Sequence, residues 1–94
     1  MLNDKVITIT LDGSGMPVPD EETAKVVKDN QKVRWCAAFE FEISIEGYTD
    51  VTYGSGGANC AYKAVTGTFD EVKRYKYTIS ANGQDNDPYL DVKP

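Results

Sequence analysis

Three glutamates, Glu40, Glu42 and Glu46, occupy even positions of a run from Gln31 to Glu46 whose odd positions are mostly apolar. In an extended chain alternate residues share a face, which sets Glu40 and Glu42 about 7 Å apart. Paired carboxylates divide acid and base work in glycoside hydrolysis at comparable separations. The alternation also explains them without chemistry, as the solvated face of a sheet whose charges discourage edge pairing. A second group, Asp85, Asp87 and Asp91 with Asn82 and Asn86, offers the oxygen ligands that calcium takes. Its spacing lacks the Asp-x-Asp-x-Asp-Gly form, and Asp and Asn are ordinary turn residues.

Nucleophilic catalysis finds little support. The chain has no histidine, so a serine or cysteine would need a carboxylate or lysine as its base. Gly13-Ser14-Gly15 and Gly54-Ser55-Gly56 read as turns, and neither forms the G-x-S-x-G elbow. No residue is assigned to catalysis or to a metal, and no cofactor is expected. Cys36 and Cys60 leave two readings open. A disulfide closing that loop would contribute about 3 kcal/mol on the chain-entropy model, whereas a reducing compartment would leave two separate thiols. Without histidine, two cysteines supply half of a structural zinc site.

Recognition by aromatics is the remaining chemistry. Tyr48, Tyr53, Tyr62 and Tyr89 fall in or near predicted loops, each presenting a flat apolar ring with a polar tip. A binding loop running from Tyr48 to Asn59 suits a protein, peptide or glycan partner. The competing reading is that these tyrosines plug the ends of a small core. An exposed edge strand would offer a further route, recruiting a second copy or a partner.

The elements that must position these residues are strands. Lys5 to Leu11 alternates, with Ile7, Ile9 and Leu11 on one face and Thr8 and Thr10 on the other. Asp12-Gly13-Ser14-Gly15 breaks it, and Pro17 and Pro19 keep the following stretch extended. Val26-Val27 before Asp29-Asn30 favours a short strand and a tight turn over a helix. In the run from Gln31 to Glu46, Val33, Trp35, Ala37, Phe39, Phe41, Ile43 and Ile45 lie on one side. A helix cannot collect alternate residues on one face. One strand of that length would exceed about 40 Å, so a bend near Cys36-Ala37-Ala38 divides it. Val51-Thr52-Tyr53 and Cys60 to Val65 are further short strands, separated by a surface loop from Gly54 to Asn59. Tyr75, Tyr77, Ile79 and Ala81 alternate with polar residues until Asn82-Gly83 turns the chain toward Tyr89-Leu90-Asp91-Val92.

About seven or eight short strands without an amphipathic helix predict a Greek-key β-sandwich, its two sheets burying each other. Ninety-four residues fit a single domain, residues 1–94. A net charge of −5 argues against nucleic acid and against an anionic membrane surface. No apolar run approaches the roughly 20 residues of a membrane span. Met1 to Lys5 lacks the pattern of a signal peptide. If Met1 is native the protein is cytoplasmic; if it was added to a mature fragment, the compartment is unknown.

Two stretches resemble the cupredoxin-like fold. Lys25-Val26-Val27-Lys28-Asp29-Asn30-Gln31-Lys32-Val33-Arg34-Trp35 resembles an edge strand turning sharply into a core strand that ends in an aromatic. Gly67-Thr68-Phe69, Tyr75-Lys76-Tyr77-Thr78-Ile79 and Asp87-Pro88-Tyr89-Leu90-Asp91-Val92 resemble the last hairpin of that family. The resemblance implies the sandwich but not the copper. A type 1 site takes two imidazoles and a thiolate, and where the family's cysteine ligand would fall this chain has Ile79, Ser80 and Ala81. An immunoglobulin-like sandwich is the alternative. There a tryptophan packs on an inter-sheet disulfide, whereas Trp35 and Cys36 are adjacent and face opposite ways.

Overall fold

The β-branched and aromatic alternation resolves into ten strands in a computed structural model that describes residues 2–57 and 60–94. In chain order they are β1 (Lys5–Leu11), β2 (Pro17–Pro19), β3 (Thr23–Val27), β4 (Val33–Ala37) and β5 (Glu42–Ile45). There follow β6 (Val51–Gly54), β7 (Tyr62–Thr66), β8 (Arg74–Ala81), β9 (Gln84–Asn86) and β10 (Tyr89–Lys93). They form two five-stranded mixed sheets, sandwich-like and not closed into a barrel. The first runs β2-β1-β4-β7-β6; the second runs β3-β10-β8-β5, with β9 also on β8. Each sheet has one parallel pair, β1 with β4 and β3 with β10.

The strand count exceeds the expected seven or eight because two short segments also pair. Pro17–Pro19 lies along the end of β1, an edge where the missing proline N–H groups cost no ladder bond. Gln84–Asn86 and β10 pair with the same side of β8 in one continuous register. Between them Pro88, which has no N–H, interrupts the ladder, although its carbonyl accepts from the Tyr77 N–H at 3.0 Å. The tip of this long hairpin is Asn82-Gly83, with φ of 54° and 73°, the left-handed pair of a type I′ turn.

The run from Gln31 to Glu46 crosses from one sheet to the other. Cys36 and Ala37 stay within β4, and the break falls after them, between Ala37 and Glu42. Burial follows the alternation, with two corrections. Phe39, expected in the core, is only half-buried because it lies on the crossing segment. Leu11, expected beside Ile7 and Ile9, is 42% exposed at the last position of β1.

Trp35 and Tyr77 occupy the centre. Their rings are 5.3 Å apart and tilted by 55°, and the Trp35 indole N–H donates to the Tyr77 hydroxyl at 3.3 Å. Burial pushes the Tyr77 phenol far above its ordinary range. In the unfolded chain tyrosine ionises near pH 10, while the folded chain keeps the proton. The unfolded state then binds fewer protons, so stability falls as pH rises above about 10. Denaturant midpoints followed from neutral to alkaline pH should therefore decline there, and Tyr77→Phe should flatten the decline. An unchanged alkaline slope in that variant would contradict this assignment.

The outer face of the second sheet is a charged ladder. Arg74 grips Asp91 through two contacts, 2.7 and 3.2 Å, and holds its carboxyl below the usual range. Among the described residues no helix is long and apolar enough to cross a membrane.

Candidate binding cleft

Tyr53 on β6 lies opposite Ala64, and Tyr62 on β7 lies opposite Ala37. Ala64 and Ala37 are both buried, so the two tyrosines start from inward-facing positions on neighbouring strands. Diagonal neighbours of this kind are about 7 Å apart. At this margin of the first sheet the second sheet does not cover them, and they remain 55% and 42% exposed. Facing them is the segment Glu40-Phe41-Glu42, which leads from β4 into β5. Between the two lies a cleft of about 390 Å³, with Phe41 in its wall and Lys63 and Gly54 completing it. Phe41 is nearly buried, while Glu40 and Glu42 are exposed. A second cleft, across Phe41, is lined by the polar hairpin from Ser80 to Asp85.

The Tyr53 hydroxyl has a structural task as well. It accepts from the Ile43 N–H at 3.0 Å and donates to the Ile43 carbonyl at 3.1 Å. One side chain thus satisfies both groups that Ile43 turns toward the free edge of β5, tying β6 of one sheet to β5 of the other. Tyr53→Phe should cost about 1 kcal/mol, because water can reach the released groups. The Ile43 amide should also exchange hydrogen faster. Unaltered exchange at Ile43 would show that this link carries no load.

The other two tyrosines lie elsewhere, so the four candidate tyrosines do not share one site. Tyr48 is half-buried and stacks on Phe69 at 4.4 Å, its hydroxyl donating to the Thr68 carbonyl at 3.2 Å. Burial and the nearby Asp50 charge raise its phenol above the ordinary value. That is the plugging arrangement. Tyr89 lies on β10 beneath the Arg74 guanidinium, 5.3 Å from the ring centre. Of the predicted loop, Ala58 and Asn59 lie outside the described residues.

The acidic groups do not assemble. Glu40 precedes β5, Glu42 begins it and Glu46 follows it, where Glu46 lies near Lys76 and Asp87 at a separate depression. Asp87 accepts from the Thr78 hydroxyl at 2.7 Å, and Asp91 is held by Arg74. The side-chain amides of Asn82, Gln84 and Asn86 donate to the carbonyls of Gly15, Ser14 and Pro17. They fasten the β8–β9 hairpin to the β1–β2 turn. Among the described residues no three Cys, Asp or Glu side chains converge as metal ligands would.

Cys36 and Cys60 form a disulfide, with Cα atoms 4.9 Å apart. Trp35 faces the core, so its neighbour Cys36 faces outward. The bridge therefore ties the connection before β7 to the outer side of β4 and does not link the two sheets. Sequence reasoning singled out Tyr53 and Tyr62 but not Phe41 and Lys63, which the structure places beside them. Phe41 reads as one more core position until the crossing places it at the mouth, and nothing in the local sequence marks Lys63.

The fold and cleft define an all-β, two-sheet, sandwich-like protein with an aromatic recess at one open margin. No family model matches the chain, and no curated protein or solved structure is significantly similar to it.

Proposed function

We propose that the chain is a non-catalytic binding module on a metal-free cupredoxin-like sandwich, with the Tyr53–Tyr62 cleft as its contact surface. The strand order supports the cupredoxin-like reading. A crossing core run, one parallel pair in each sheet and a long closing hairpin agree with the two stretches that carry the resemblance. The inward Trp35 beside an outward disulfide disfavours the immunoglobulin-like alternative. The residues do not fit the family's copper. At the end of β8 the side chains are Ser80 and Ala81, the chain has no imidazole, and both sulfurs are engaged in the disulfide.

The observation that carries the binding reading is two exposed tyrosine rings set beside a nearly buried phenylalanine, with carboxylates and a lysine at the rim. Tyrosine contributes contact area at low entropic cost, and polar groups at the rim orient a ligand. An extended peptide with a basic residue for Glu40 or Glu42 suits this arrangement. The two rings also favour a second reading, a carbohydrate-binding module that stacks sugar faces. Peptide and glycan arrays separate the two. Ligands captured by the wild type should be lost with Tyr62→Ala, an exposed change that leaves the core intact. Ligands retained by that variant would remove the cleft from the account.

A further inference from the structure

Three of the four sheet edges are guarded by prolines, by an exposed charge or by partners for some of their outward backbone groups. Edge strand β2 has prolines at both ends. On β3, the Val27 N–H donates to the Gln31 side chain at 3.1 Å and the Val27 carbonyl accepts from the Asn30 N–H at 3.3 Å. Lys25 stands exposed beside them. On β5, Tyr53 satisfies Ile43, and the Ile45 carbonyl accepts from the Tyr48 N–H at 3.2 Å.

Edge strand β6, Val51-Thr52-Tyr53-Gly54, has no charge and no proline. The Gly67 N–H donates to the Asp50 carbonyl, so alternation along an antiparallel pair makes Thr52 and Val65 the next bonded pair. Val51 and Tyr53 therefore turn their backbone groups away from β7. The Val51 N–H bonds to the Thr49 carbonyl at 2.9 Å. Among the described residues the Val51 carbonyl and both backbone groups of Tyr53 have no partner. A shallow groove along this margin, lined by Ile43, Ile45, Tyr48, Val51 and Tyr53, keeps them accessible.

We propose that β6 pairs antiparallel with β6 of a second copy of this chain, about a two-fold axis through Thr52. In that register Val51 of each copy meets Tyr53 of the other, so each Tyr53 N–H reaches a Val51 carbonyl. Thr52 faces its own copy across a close pair. Asp50 falls opposite Gly54 of the second copy, and a Cβ at Gly54 would lie 3.9 Å from the Lys63 side chain, so Lys63 crosses over that glycine. In the single chain the Asp50 carboxylate lies over Gly67; turned toward the second copy it meets Lys63 there, a pair the symmetry forms twice. Among the described residues neither has an ion-pair partner within its own chain. This complementarity selects a second copy over an unrelated strand. The inference deepens the binding-module reading by naming one partner, and Thr52 is not among the residues lining the cleft, so either can fail alone.

Sedimentation of the wild type from micromolar to millimolar concentration tests it. The expected result is a monomer that becomes a dimer. Thr52→Glu and Thr52→Lys, both exposed changes, should each sediment as monomers, because like charges then face each other. Mixing the two variants should restore a dimer. A wild type that stays monomeric throughout, or a dimer that persists in Thr52→Glu alone, would overturn the proposal.

Discussion

Trp35→Ala should leave the protein largely unfolded at modest temperature. The side chain is fully buried, and truncating a buried tryptophan costs about 3 to 5 kcal/mol. A domain of this size has only about 5 to 15 kcal/mol of total stability. The loss is compounded because Tyr77 forfeits both its ring contact and its hydrogen-bond donor. Trp35→Phe keeps much of the volume and should cost about 2 kcal/mol, by transfer and by the lost indole bond. Far-ultraviolet circular dichroism in urea measures both. A Trp35→Ala midpoint close to the wild type would mean that the two sheets do not meet where the structure places them.

The second large effect concerns the sulfurs. Replacing Cys36 and Cys60 together by alanine should lower stability by about 3 kcal/mol, because the unfolded chain regains the freedom of the closed loop. Reductant should produce a similar loss in the wild type and none in the variant. Since the bridge joins a connection to one sheet, its removal should loosen residues around Cys60 before the core around Trp35. Intact mass before and after reduction shows directly whether the bond is present. A purified protein with two free thiols, as stable as the alanine variant, would refute this prediction.

The sequence disclosed most of the strands because their period is strong. Tyr75, Tyr77, Ile79 and Ala81 are all buried on β8, as their alternation with polar residues predicts. It disclosed the tight turn at Asp29-Asn30 as well, where Asp29 takes a φ of 59° and the Asn30 N–H returns to the Val27 carbonyl. Periodicity reports which face a residue occupies but not which sheet its strand joins. For that reason Phe39 and Phe41 looked equivalent, although the crossing buries one and leaves the other half-covered. The four tyrosines were equally ambiguous. Whether a ring plugs a core end, as Tyr48 does, or lies in a cleft, as Tyr62 does, depends on contacts with strands distant in sequence. The short strands were hidden for a similar reason: Pro17–Pro19 and Gln84–Asn86 have little β propensity and are held by their neighbours.

On the proposed reading, a ligand leaves its mark at the recess beside Phe41. Backbone amide shifts of isotope-labelled protein should be recorded while an array-derived peptide or oligosaccharide is added. Movements concentrated at residues 40–42, 53–54 and 62–63, with the Arg74–Asp91 face unmoved, are the predicted result. Saturable shifts centred on any other surface would contradict the account.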